Sequence, residues 1–115
     1  MFGGSFLQRE RVLEELRRLA RELLARDRRV LRVILFGSLA RGEATVRSDA
    51  DVLLVVKEEG KEIWGKAWRD WILHFSEALL PVDVIPVRKE RAEKIPLFRR
   101  ALKEGVILAE RVPDL

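Results

Sequence analysis

Two acidic side chains, Asp49 and Asp51, open the apolar run Val52-Leu53-Leu54-Val55-Val56, and a second apolar run, Val30 to Phe36, ends in Gly37-Ser38. Side chains alternate sides along an extended chain, so carboxylates two residues apart face the same way. At that spacing their charges repel, and the pattern is best satisfied by a divalent cation held between them. Gly37 lets backbone come close to a ligand, and Ser38 offers a hydroxyl at the start of a helical turn whose free amides attract phosphate oxygens. Arg41, one turn later, is placed to add a guanidinium to the same anion. The chemistry these residue types suit is metal-assisted handling of a nucleoside triphosphate.

A Walker-type loop is the competing reading, because Gly37 and Gly42 have its glycine spacing. It fails at the next two positions, where Glu43 and Ala44 stand in place of lysine and a hydroxyl residue. Asp83 lies on a third apolar segment, Val82-Asp83-Val84-Ile85, and pairing of that segment with the Asp51 strand would bring a third carboxylate to the site. Three carboxylates around two magnesium ions suit in-line phosphoryl or nucleotidyl transfer with no protein nucleophile. In that arrangement Asp83 touches the ion that activates the acceptor and assists in taking its proton.

Gly37-Ser38, ten intervening residues and Asp49-Ala50-Asp51 within apolar strands resemble the signature of the DNA polymerase beta-type nucleotidyltransferase superfamily. The fuller string, GSLARG through SDADVLLVV, is similar to its minimal nucleotidyltransferase branch, over about residues 8 to 110. The resemblance implies that Gly37 and Ser38 hold the triphosphate and that Asp49, Asp51 and Asp83 bind two Mg²⁺ ions. It also implies a small helical HEPN protein as partner, with the chain acting as antitoxin and silencing that partner by moving AMP from ATP to a tyrosine hydroxyl. A second reading keeps the partner but removes the chemistry: the chain neutralises it by covering it.

The rest of the chain must position these groups. At 115 residues, 48% hydrophobic and 37% charged, it is expected to form one α/β (α+β) domain, about residues 5–110, with a small mixed sheet and helices packed against it. Ser5 with Gln8 reads as a capping box for a helix to about Arg26, with Leu13, Leu16, Ala20 and Leu23 as its apolar stripe. Strands are expected at Val30–Phe36 and Val52–Val56, the latter apolar at every position and so covered on both faces. Between them fall a short turn, Ser38–Gly42, and a loop, Glu43–Ser48, in which Arg47 and Ser48 suit either site or loop-capping roles. About Lys61 to Leu80 a helix carries Trp64, Trp68, Trp71, Ile72, Phe75 and Leu79 on one face, read as core, with any exposed part a candidate for self-association or partner binding. His74 is expected at the edge of that face. A third strand is expected to end at Pro86, a last helix to start at Pro96 and reach Glu104, and a short edge strand to follow at Val106–Leu108.

The composition bounds the function further. No cysteine is present, which excludes disulfides and thiolate chemistry. No apolar run approaches the ~20 residues of a membrane span and no export signal is evident, so a cytoplasmic location is expected. The absence of asparagine and the excess of arginine over lysine suggest a thermophilic source. The net charge is +4, but glutamates alternate with arginines along the first helix, as Glu14 with Arg18 and Glu22 with Arg26. That pattern favours a solvated ionic face over a nucleic-acid surface.

Overall fold

The computed structural model describes residues 2–42, 49–57 and 63–112, with side chains from Arg9 onward. The elements run α1 (Phe2–Arg26), β1 (Val30–Phe36), β2 (Ala50–Val56), a wide helical turn (Ile63–Ala67) leading into α2 (Trp68–Phe75), β3 (Val82–Arg88), α3 (Lys89–Lys94), α4 (Pro96–Glu104) and β4 (Val106–Glu110). The four strands form one mixed sheet in the order β3-β2-β1-β4. β1 is antiparallel to both β2 and β4, and β2 is parallel to β3.

Period-two alternation sends each strand's side chains to two cores. Val33, Leu35, Val52, Leu54, Val56 and Val84 pack with α1 and α2 on one face. Ile34, Phe36, Leu53, Val55 and Val87 pack with Ala92 of α3 and Ala101 of α4 on the other. From Ala50 to Val56 every β2 residue is buried except Asp51, so the uniformly apolar run is a central strand with helices on both sides. The expected α1 stripe of Leu13, Leu16, Ala20 and Leu23 is buried.

Several elements differ from the sequence expectation: β2 already starts at Ala50, and β4 runs on to Glu110. α1 begins at Phe2, so Ser5 lies inside the helix and not at its cap; a continuous helix accommodates the same i, i+3 spacing. The tryptophan-rich helix breaks at Gly65 (φ −105°, ψ −111°) and stops at Phe75, where the Ser76 hydroxyl donates to the Leu73 carbonyl at 2.6 Å. Leu79 is therefore off the helix and exposed, as are Trp64 and Ile72, while Trp71 and Phe75 are fully buried.

Pro86 does not end β3. The strand is an edge, and Val84, two residues earlier and with its backbone groups directed the same way, turns its carbonyl outward to accept from Trp68 Nε1 at 2.8 Å. The Pro86 nitrogen therefore points away from β2, where no ladder bond is lost. Finally, α3 was not expected: KERAEK has one buried residue, Ala92, and no apolar period to reveal it.

On α1, Arg18 pairs with Glu15 at 2.6 Å and Glu22 at 2.7 Å, so the ionic face is present but its pairs differ: Glu15 takes the place expected for Glu14, and Glu22 turns to Arg18 and not to Arg26. His74 sits edge-on to Phe75 and its Nε2 donates to the Leu19 carbonyl at 2.7 Å, joining α2 to α1. Among the described residues, no helix is long and apolar enough to cross a membrane.

Candidate active site

The end of the sheet where β1 stops and β2 and β3 begin collects the acidic groups. Phe36 pairs with Asp51 across the antiparallel β1–β2 ladder, and Asp51 pairs with Asp83 across the parallel β2–β3 ladder. Asp51 shares its strand parity with Leu53 and Val55, and Asp83 shares its parity with Ile85 and Val87. Both carboxylates thus belong to the face covered by α3 and α4. Asp49, one residue ahead of β2 and exposed, has the same parity. The Ala50 amide between the two donates to the Pro81 carbonyl at 2.9 Å, tying the start of β2 to the start of β3.

Gly37 follows β1 directly and has φ +79°, a left-handed conformation that glycine adopts without strain. A β-carbon at this position would collide with Asp51 Oδ2. The close approach expected of Gly37 is thus first an approach to the Asp51 carboxylate. From Gly37 the chain makes one turn, closed by Arg41 N–H to the Gly37 carbonyl and Gly42 N–H to the Leu39 carbonyl, each at 3.2 Å. Gly42 ends it with φ +76°. Among the described residues the amides of Ser38, Leu39 and Ala40 have no backbone acceptor, which leaves the donors of a first helical turn available to an anion.

Sequence reasoning missed the support of this turn. Arg9 of α1 donates from Nε to the Leu39 carbonyl and from Nη2 to the Ala40 carbonyl, both at 3.3 Å. Leu39 itself is buried in the α1–α2 core. Nothing in the spacing of Arg9 distinguishes it from the other arginines of α1; only the fold brings it under the turn.

Electrostatics single out Asp51. Partial burial raises its carboxyl above the usual carboxylate range, and the neighbouring charges of Asp83 and then Asp49 push it the same way. Oxygen donors that repel one another at the mouth of a cleft fit a hard divalent cation. Among the described residues, no three acidic, His or Cys side chains converge tightly enough as they stand to share one ion. A cavity of about 380 Å³ opens beside Asp51, bounded by it with Gly37 and Arg41 on the sheet side and by Leu97, Arg100 and Glu104 of α4 opposite; Asp49 and Asp83 do not line it. Arg41 is exposed at its lip. Arg47 and Ser48 lie outside the described residues.

The sequence matches the model of the nucleotidyltransferase domain over residues 16–109. The chain belongs to the nucleotidyltransferase domain family. Its function is accordingly nucleotidyl transfer, with a nucleoside triphosphate as substrate. No curated protein matches the nucleotidyltransferase significantly. Among solved structures, a protein of Sulfolobus solfataricus assigned as a nucleotidyltransferase is 23% identical and superposes with a TM-score of 0.63, over 93% of this chain and 87% of that one. At that identity the likeness carries the fold, and the fold agrees. The nucleotidyltransferase's Gly37 turn, Asp51 and Asp83 all lie inside the matched span.

Proposed function

We propose that the protein is a divalent-metal-dependent nucleotidyltransferase that moves AMP from ATP to a hydroxyl of a HEPN partner protein and thereby acts as its antitoxin. The observation that carries the catalytic part is the register match of Asp51 with Asp83 beside the Gly37 turn. The partner and the base rest on the sequence resemblance.

In this reading Asp49, Asp51 and Asp83 would hold Mg²⁺, which when bound would supply Lewis acidity to the α-phosphate and the acceptor hydroxyl. The free amides of Ser38, Leu39 and Ala40 and the Ser38 hydroxyl bind phosphate oxygens, and Arg41 balances their charge from the cavity lip. The acceptor oxygen bonds to the α-phosphorus as the α–β anhydride bond breaks, and pyrophosphate leaves opposite it. Asp83, exposed on an edge strand and open to a macromolecular acceptor, takes the hydroxyl proton.

The test is transfer of label from α-phosphate-labelled ATP to the partner with Mg²⁺ present. Asp49→Asn and Asp51→Asn are expected to abolish transfer while the fold stays intact, since Asp51→Asn relieves like-charge repulsion. Labelling that persists in both variants defeats the mechanism.

One observation favours the covering mode as a second reading. Trp64, Leu73 and Leu79 are more than half exposed around α2, an apolar surface suited to a protein partner. Under that reading Asp51→Asn still neutralises the partner and Trp64→Ala does not.

A further inference from the structure

A second cavity, of about 590 Å³, lies at the opposite end of the same sheet face. Lys57 on its wall, one residue past the end of β2, is six residues beyond Asp51, or about 20 Å at the rise of a strand. Among the described residues its walls carry Arg28, Arg32, Lys57, Lys89 and Arg111, with Glu93 as the one acid.

These cations are distributed differently from those on α1, where Arg18 is flanked by two glutamates. Among the described residues Arg28, Lys57 and Lys89 have no carboxylate partner. The other two are anchored. Arg111 donates from Nη2 to the carbonyls of Leu24 at 2.7 Å and of Asp27 and Val30 at 3.1 Å, and among the described residues no carboxylate pairs with it. Arg32 is held by Glu110 at 3.0 Å. Among the described residues, counting Glu93 and Glu110 against the five cations leaves an excess of three positive charges around one concavity.

Convergent like charges cost Coulomb energy unless an anion answers them, and low-dielectric walls concentrate their field. Two of the five are already immobilised, which lowers the ordering cost of binding. Leu31 and Leu102 add apolar wall between them.

We infer that this cleft binds a linear polyphosphate group, free or carried by a nucleotide, at a site separate from the catalytic carboxylates. A triphosphate brings the charge density that three uncompensated cations require, in a volume the cavity holds. The cations surround a bounded cavity and do not form a stripe, which favours a compact anion over a nucleic-acid strand.

The experiment is an amide chemical-shift titration of the full ¹⁵N-labelled chain with sodium tripolyphosphate, and in parallel with ATP, in EDTA. Saturable shifts are expected at Lys57, Lys89 and Arg111. The double variant Lys57→Glu/Lys89→Glu is expected to weaken binding at least tenfold, while Asp51→Asn and the distant charge reversal Arg21→Glu change it less than twofold. Equal affinity for the two probes assigns the free chain as ligand, and tenfold tighter ATP assigns the nucleotide; both support the site. Shifts confined to residues 37–42, no saturable shifts, tighter binding of a single-stranded oligonucleotide at these residues, or equal weakening by Arg21→Glu overturn it.

Discussion

Gly37 and Asp51 occupy each other's space: the glycine's missing side chain is where the Asp51 carboxylate lies. The end of β1 and the start of β2 are in register at Phe36 and Asp51, so the next residue of β1 must pass directly beside that carboxylate. The left-handed bend at Gly37 then turns the chain into the amide-bearing turn. One residue thus sets both the position of an acidic group and the entry to the turn whose amides have no backbone acceptor, so the two cannot drift apart.

Gly37→Ala is therefore expected to damage the site twice. An alanine in the left-handed region costs roughly 1–2 kcal/mol, and its β-carbon must displace the Asp51 carboxylate. Nucleotide transfer is expected to fall by about two orders of magnitude, more than the stability loss accounts for. Urea unfolding alongside a labelling assay separates the two effects. Full activity in a destabilised variant would show that the contact serves folding alone.

The far end of the sheet is organised by a different acid. Asp27, just past α1, accepts from Arg29 Nη2 and from Trp71 Nε1, each at 2.8 Å. Mainly through the Arg29 hydrogen bond, its carboxyl is lowered from 3.8 to about 2. A depressed carboxyl stabilises the fold above its unfolded value and loses that contribution as pH falls through the folded one. With Arg29 half exposed, solvent screening limits the contribution to about 1 kcal/mol. Unfolding free energies of the parent chain and Asp27→Asn are expected to differ at pH 6 and to converge between pH 4 and pH 2. A gap that stays constant across that window would remove Asp27 from the acid response.

What could be read from the sequence followed from how local its cause was. β1 and β2 announced themselves as apolar runs, interrupted in β1 only by Arg32, because most of both faces is covered. Gly37 and Asp51 stood out because each adjoins such a run, Asp83 because it interrupts an apolar segment, and strand parity then puts the two aspartates on one face. α3 was invisible because its single buried residue is an alanine. Pro86 misled because its tolerance depends on β3 being an edge, a property of sheet order that the sequence of one strand does not carry. The break at Gly65 was masked by an aromatic spacing that continues through it, with Trp64 and Trp68 still meeting edge to face at 5.5 Å. The basic cleft was hidden for a related reason: Arg28, Lys57, Lys89 and Arg111 come from four separate places in the chain and only the fold gathers them.

Arg9 shows the same dependence on tertiary structure, and its removal is the sharpest test of whether the Gly37 turn must be held. Its guanidinium reaches the Leu39 and Ala40 carbonyls from α1, and hydrogen bonds to a charged donor contribute about 1.5–3 kcal/mol each when well formed. At 3.3 Å these two are long, so their combined effect falls toward the lower end of that range. The turn is short and closed otherwise by two backbone bonds of 3.2 Å, so most of the loss is expected to appear as disorder of the turn and little as global unfolding. Arg9→Ala should lower kcat/KM for the nucleotide about tenfold, chiefly through KM, because the amides that would receive the phosphates no longer share one orientation. Arg9→Lys should recover part of it by reaching one carbonyl. A variant that loses stability and activity in proportion, with kcat and KM unchanged in the folded fraction, would reduce Arg9 to a structural role.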